Sequence, residues 1–207
     1  MDESVRLALA KWPNVPHCYG WLALDARGAF RMRDDMAQAA HLPGDVIRHP
    51  ALLGFIFRNY AHDERGAWYF QNGPQRVYVE LEATPFIARS DPVQGFVTHD
   101  GEAMDSISKA FMTEDGRLLL QSRDKLAMLD DRDLAACLPH FMLGDSACDD
   151  AALMSWLALD CAPVHPLAMV IGSESSGALV NVERIRSDQM EQRFGFVANP
   201  SRLAKIA

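Results

Sequence analysis

Asp63-Glu64-Arg65-Gly66-Ala67-Trp68-Tyr69-Phe70-Gln71-Asn72-Gly73-Pro74-Gln75-Arg76-Val77-Tyr78-Val79-Glu80-Leu81-Glu82 is the stretch whose pattern decides the fold class. It reads as a strand over 67–71, a turn at Asn72-Gly73-Pro74, and a second strand over 75–82. Successive side chains of a strand point to opposite faces, so Val77, Val79 and Leu81 face one way and Arg76, Tyr78, Glu80 and Glu82 the other. A one-sided antiparallel hairpin follows from this alternation. Asn-Gly normally specifies a two-residue connection, but Pro74 cannot donate a ladder hydrogen bond, which argues for a longer loop.

The head of the same stretch has an echo. Asp25-Ala26-Arg27-Gly28-Ala29-Phe30 repeats the Asp, Arg, Gly and Ala of Asp63-Glu64-Arg65-Gly66-Ala67-Trp68, and each ends in an aromatic. Glu114-Asp115-Gly116-Arg117-Leu118 is a fainter third version. The physical reading is a tight turn in which Asp holds local backbone N–H groups, Gly takes positive φ, and the aromatic opens the next strand. Either two repeated substructures or coincident turns of a common type satisfy the pattern. Around these turns the sequence places hairpins at Trp21–Arg33 and Phe111–Gln121, and strands at 86–89, 96–99, 167–171, 178–185 and 194–197.

Helical spacing appears in shorter pieces. Val5, Ala8, Leu9 and Trp12 share a face after the caps Asp2 or Ser4, and Pro13 breaks the run. Pro50 suits a first turn ahead of Leu53, Ile56, Phe57 and Tyr60, which makes the clearest helix. Asp130-Asp131 and Asp149-Asp150 supply N-caps and first-turn charge to two more, the first ending at Pro139, and a terminal helix follows Pro200. Trp12, Trp21, Trp68 and Trp156 are assigned to the core. The fold class is therefore α+β: mostly antiparallel sheet built from hairpins with packed short helices. Two halves, 1–92 and 93–207, or one continuous domain fit this organisation.

Composition bounds the rest. The chain has 207 residues, 49% hydrophobic and 23% charged, and its 28 Asp and Glu against 20 Lys and Arg give a formal charge of −8. An acidic excess without a basic cluster argues against nucleic acid as a partner. No apolar run approaches the ~20 residues needed to span a bilayer, and the acidic start Met1-Asp2-Glu3-Ser4 lacks the basic and apolar regions of a secretory signal. The expectation is a cytoplasmic protein with no membrane partner. Cys18, Cys137, Cys148 and Cys161 form no Cys-x-x-Cys pair, and the seven histidines form no His-x3-His arrangement, so reduced buried thiols and no metal site are expected. No cofactor is implied.

One stretch carries a family resemblance. Leu52-Leu53-Gly54-Phe55-Ile56-Phe57-Arg58, the Asp63–Phe70 turn and strand, Val77-Tyr78-Val79-Glu80 and Thr84-Pro85-Phe86-Ile87-Ala88 resemble uncharacterised proteobacterial families, domains of unknown function. One of these has a Leu-Phe-x-x-h-h-Arg helix (h, hydrophobic), an Asp-Gly turn into aromatics, a Val-x-Val-Glu strand and an Ala-Pro-Phe-h-Ala strand. The similarity covers residues 20–90. It implies an α+β fold with repeated substructures and a role in signalling or ligand sensing. The chain departs from it at Thr84 and at Gln71-Asn72-Gly73-Pro74-Gln75, and the resemblance brings no catalytic residue with it.

Chemistry-bearing motifs mostly fail on spacing. Gly172-Ser173-Glu174-Ser175-Ser176-Gly177 is neither a Gly-x-Ser-x-Gly elbow nor a P-loop, since Ala178-Leu179 stands where Lys and Ser/Thr are required. Asp130-Asp131-Arg132-Asp133 lacks the spacing of a calcium loop. No catalytic residue is assigned. The candidate ligand-binding residues are Arg58, Gln75, Arg76, Tyr78 and His99. Arg58 lies on the polar side of the clearest helix, and Arg76 and Tyr78 share one strand face. If that face is covered, Arg76 needs a carboxylate from a ligand or from a cross-strand neighbour such as Glu80 or Glu82. The leading functional expectation is a non-catalytic module that senses a small molecule or binds a protein partner. The alternatives are a hydrolase-type site assembled from dispersed His, Asp and Ser residues, and a structural homo-oligomer.

Overall fold

The computed structural model describes residues 1–123, 125–158, 164–172 and 177–204. Its fold is α+β, and the chain packs as two units, residues 1–85 with 191–207, and residues 86–190.

In the first unit the elements run α1 (Glu3–Lys11), β1 (Cys18–Leu24), β2 (Phe30–Met32), α2 (Asp35–Ala39), β3 (Asp45–Val46), α3 (Pro50–Arg58), β4 (Tyr60–His62), β5 (Trp68–Asn72) and β6 (Gln75–Leu81). The six strands form one sheet in the order β3-β2-β1-β6-β5-β4, with β1 and β6 parallel and the other neighbours antiparallel. The Asp-x-Arg-Gly-Ala turns are what the sequence specified. Asp25 Oδ1 accepts from the N–H groups of Arg27 and Ala29 at 3.0 and 2.8 Å, and Asp63 Oδ1 from those of Arg65 and Ala67, both at 3.0 Å. Gly28 and Gly66 take φ of +81° and +80°, where a Cβ is costly.

Both faces of this sheet are covered, which corrects the one-sided hairpin. On one face lies α3, capped by His49, and its first-turn Pro50 follows the sequence reading. It buries Ile56 and sets Phe57 against Phe30 and Phe55 edge-on to Phe70. On the other face Ala67, Tyr69 and Tyr78 are packed by Tyr19, Ala61, Val197 and Leu203. Val197 and Leu203 come from the chain's return after α6 (Met190–Phe194) and from α7 (Ser201–Ala204). The Phe194–Val197 segment is thus not a strand: Phe194 ends a helix, and Val197 makes a single bridge to Ala67. Asn72 pairs with Gln75, so the loop is the two residues Gly73-Pro74, with Pro74 placed where no ladder donor is needed. Trp12 and Trp21 are 51% and 40% exposed rather than in the core.

The second unit has β7 (Phe86–Asp91), β8 (Gly95–Thr98), β9 (Ile107–Thr113), β10 (Leu118–Ser122), β11 (Lys125–Leu129), α4 (Leu134–Cys137), β12 (Phe141–Leu143), β13 (Ser146–Ala147), α5 (Asp150–Leu157), β14 (Leu167–Ile171) and β15 (Ala178–Ile185). Its sheet runs β13-β12-β14-β15-β9-β10-β11-β7-β8, parallel at β15–β9 and β11–β7. Thr113 takes the Asp role at the β9–β10 turn: its Oγ1 accepts from Arg117 N–H at 2.9 Å, and Gly116 has φ +83°. Pro139 lies within a 3-10 turn after α4 rather than ending a helix. Asp130 and Asp149 cap as expected, through Arg132 N–H and Ala152 N–H.

The meander β4-β5-β6 and the meander β9-β10-β11 pair in the same register. Tyr60–Phe70, Ala61–Tyr69 and His62–Trp68 correspond to Ala110–Leu120, Phe111–Leu119 and Met112–Leu118, and Tyr69–Tyr78 and Gln71–Arg76 to Leu119–Met128 and Gln121–Leu126.

Cys137 and Cys148 are buried, Cys18 is half-buried, and all three are free thiols. Burial, helped by Asp133, pushes the Cys137 thiol up to about 11. Cys161 and Ser173–Ser176 lie outside the described residues. Among the described residues no helix is long and apolar enough to cross a membrane, and no three His, Cys, Asp or Glu side chains are grouped to hold a metal ion.

Candidate functional site

The register of the β5–β6 hairpin places Tyr69 opposite Tyr78 and Gln71 opposite Arg76, all four on one face of the first sheet. The Asp63 turn brings Asp63, Glu64 and Arg65 to the end of that face, and the segment before β1 brings His17. Tyr69, Tyr78, Arg76, His17, His62 and the three turn residues line a cavity of about 470 Å³, within the size class of small-molecule sites. Its floor is aromatic. Tyr69 and Tyr78 are 6% and 1% exposed, Tyr78 stacks on Tyr19 with ring centroids 4.5 Å apart and planes 3° from parallel, and His17 meets Tyr78 edge-on at 5.7 Å.

Two guanidinium groups enter this cavity in different states. Arg65 is committed: its Nε and Nη2 donate to Asp63 Oδ2 at 3.1 and 2.9 Å, and Tyr78 donates its hydroxyl to the same oxygen at 3.0 Å. Burial works to raise the Asp63 carboxyl, but the hydrogen bonds from Ala67 N–H, Arg65 and Tyr78 outweigh it and hold the group below the usual carboxylate range. The same pairing raises Arg65 well above its ordinary value. Burial also pushes the Tyr78 hydroxyl up, against the opposing bond from Arg76. Burial and the fields of Arg76 and Arg65 lower His17, which therefore favours its neutral form.

Arg76 is held differently. Its guanidinium lies over the Tyr69 ring, Cζ 4.6 Å from the centroid, and opposes the rise of the Tyr78 hydroxyl. Among the described residues no carboxylate stands within ion-pair distance of it. The cross-strand pairing with Glu80 or Glu82 does not form. Glu80 accepts from the N–H and hydroxyl of Ser201, and Glu82 from Ala26 N–H. Beside Arg76, the fully buried Gln71 donates Nε2 to Gly73 O at 2.9 Å and leaves its Oε1 without a partner.

The second meander, which keeps a glutamine at the position of Gln71, shows that the scaffold does not demand the two tyrosines or the arginine. At the same register positions Leu119 and Met128 replace the two tyrosines, and Leu126 replaces Arg76, all of them buried. Apolar residues satisfy this backbone arrangement, so the polar set is a feature of the first unit's chemistry rather than of the hairpin geometry.

Of the residues singled out from sequence, the structure brings Arg76 and Tyr78 together in this cavity. Gln75 opens β6 and donates Nε2 to Pro16 O at 3.1 Å, next to His17 in the chain. Arg58 is elsewhere, 59% exposed at the end of α3 and paired with Asp2 at 3.1 Å. His99 belongs to the second unit, where its Nδ1 accepts from Ile87 N–H at 3.2 Å and its ring lies 5.8 Å from that of Phe86. Sequence reasoning missed His17, His62, Asp63, Glu64, Arg65 and Tyr69 as members of a site. For Tyr69 a signal existed: a two-residue Gly73-Pro74 loop fixes Tyr69 opposite Tyr78.

Comparison with known proteins gives kinship without an activity. No curated protein matches the chain. A DUF1285 family protein from Silicibacter pomeroyi DSS-3, whose crystal structure was determined at 2.50 Å resolution, aligns over 88% of this chain and 89% of its own with a TM-score of 0.45 and 14% sequence identity. The model of the family described as "Protein of unknown function (DUF2946)" matches residues 1–201, and the chain belongs to that family.

Proposed function

We propose that this chain is a non-catalytic module that binds a small anionic molecule in the Tyr69–Tyr78 cavity, and that it works in the cytoplasm as a ligand sensor in signalling. The observation that carries the reading is Arg76: a half-buried guanidinium with an aromatic contact and, among the described residues, no carboxylate at ion-pair distance, at a position where the second unit has leucine. A half-buried cation favours an anionic partner, because its lost hydration is otherwise replaced only by ring and hydroxyl dipoles. The bonding of Asp63 supports binding over catalysis. Its two oxygens already accept from two backbone N–H groups, the Arg65 side chain and Tyr78, so it has little capacity left to act as a general base. The matched registers of the two meanders support a duplicated substructure, one copy of which retained or gained a polar site.

Native mass spectrometry of the full chain, purified gently from its own host, tests the reading. The expected result is a retained small molecule of defined mass that is lost in Arg76→Leu, the residue already present at the matching position of the second unit. A wild-type chain that carries and takes up no anion, or an adduct unaffected by Arg76→Leu, contradicts it.

A further inference from the structure

We infer that the ligand of this cavity is a monocarboxylate with a flat, unsaturated body, rather than a phosphate or a polyanion. This rests on the pocket reading above and narrows it by charge, fork geometry and lining. Of the two guanidinium groups, Arg65 is occupied by Asp63, which leaves Arg76 as the guanidinium open to a ligand. Glu64 lines the same cavity and is exposed, so its negative charge opposes any anionic charge beyond the one that Arg76 balances. A doubly charged phosphate would meet one cation and one like charge. A carboxylate needs only one cation.

Geometry points the same way. The Arg76 Cζ lies 4.6 Å from the Tyr69 ring centroid, and guanidinium N–H bonds lie in the group's own plane, so an anion bonds along the N–H fork that matches a planar carboxylate. The rest of the ligand meets Tyr69, Tyr78, His17 and His62, all of them ring systems. Flat surfaces of this kind favour an aromatic or conjugated body over a puckered aliphatic one, through offset or edge contacts. The neutral form favoured at His17 adds no second positive charge to attract a dianion.

The test is calorimetric titration of the full chain with benzoate, cyclohexanecarboxylate and inorganic phosphate, in wild type, Arg76→Lys and Arg76→Leu, with thermal unfolding of each variant as the check on folding. Benzoate is expected to bind about tenfold more tightly than either other probe, a difference of about 1.4 kcal/mol, which one charge-assisted contact or aromatic pair supplies. Arg76→Lys is expected to weaken benzoate by about tenfold, because an ammonium offers no fork, and Arg76→Leu to abolish it. Phosphate binding as tightly as benzoate through Arg76 overturns the monocarboxylate inference while leaving the anion site standing. Cyclohexanecarboxylate equal to benzoate overturns the flat body. Benzoate binding that survives Arg76→Leu, or no binding of any probe to wild type, overturns the inference and the site together.

Discussion

Gly66 offers a substitution whose cost is worked directly from geometry, with an internal control at Gly116. Both glycines close the same kind of turn with φ of +80° and +83°, so Ala at either position incurs a left-handed backbone penalty of about 1–2 kcal/mol. Their surroundings differ. A Cβ at Gly116 would meet only Leu157 Cδ1 at 4.0 Å, whereas one at Gly66 would fall 1.9 Å from the Gly195 carbonyl oxygen and 2.9 Å from its carbon. The returning backbone must retreat, which breaks the bond from Val197 N–H to Gly66 O at 3.0 Å and threatens that from Leu81 N–H to Ala198 O at 2.8 Å. At about 0.5–1.5 kcal/mol each, with partial uncovering of Tyr69 and Tyr78, Gly66→Ala should cost about 3–5 kcal/mol against about 1–2 kcal/mol for Gly116→Ala. Because the chain packs as two units, global unfolding is a poor measure. Hydrogen exchange read on peptides from 60–82 and 107–129 separates them. Equal losses for the two variants, or a Gly66→Ala cost below about 1 kcal/mol, would refute the packing of the returning segment on this turn.

Other outcomes follow from single contacts. Ile56 is 1% exposed under α3, so Ile56→Ala should lower the stability of the first unit by about 2–5 kcal/mol, read by hydrogen exchange on the 60–82 peptides, and a loss below about 1 kcal/mol would move that helix off the sheet. Asp130, 1% exposed, is held down to about 2 first by the Arg132 side chain and then by its N–H. Its folded value lies below its unfolded one, so its stabilisation is present above about pH 4 and disappears as the pH falls toward 2, amounting to about 2 kcal/mol at neutral pH. Asp130→Asn should therefore narrow its gap from wild type across that window, and a pH-independent gap would contradict the assignment. Arg58→Ala should cost less than about 1 kcal/mol, since its pair with Asp2 is solvent-exposed, and should leave benzoate affinity unchanged in the same calorimetric assay.

The parts of the fold legible in the sequence are those where local chemistry dictates backbone shape. The Asp63, Asp25 and Gly116 turns, Pro50 at a helix start, and the bounds of β14 and β15 belong to this class. β11 escaped because Lys125-Leu126-Ala127-Met128-Leu129 is apolar without alternation, being a central strand covered on both faces. The aromatics of Phe194–Val197 suggested a strand, but Met190-Glu191-Gln192-Arg193 favours helix and continues to Phe194. Trp12 and Trp21 show that an apolar face in a pattern is not necessarily a covered face. At the site, alternation alone put Arg76 and Tyr78 together. His17 and Asp63 reach them through tertiary packing and a turn end, which no spacing rule encodes.

NMR reads the guanidinium groups of Arg76, Arg65 and Arg58 individually. In Nε–Hε NMR spectra of the full chain titrated with benzoate, the Arg76 signal should shift saturably, while Arg65, locked on Asp63, and Arg58, paired with Asp2, stay near their starting positions. An Arg76 signal that does not move in the folded chain, or that moves no more than Arg58, would contradict the assignment of Arg76 as the anion-binding group.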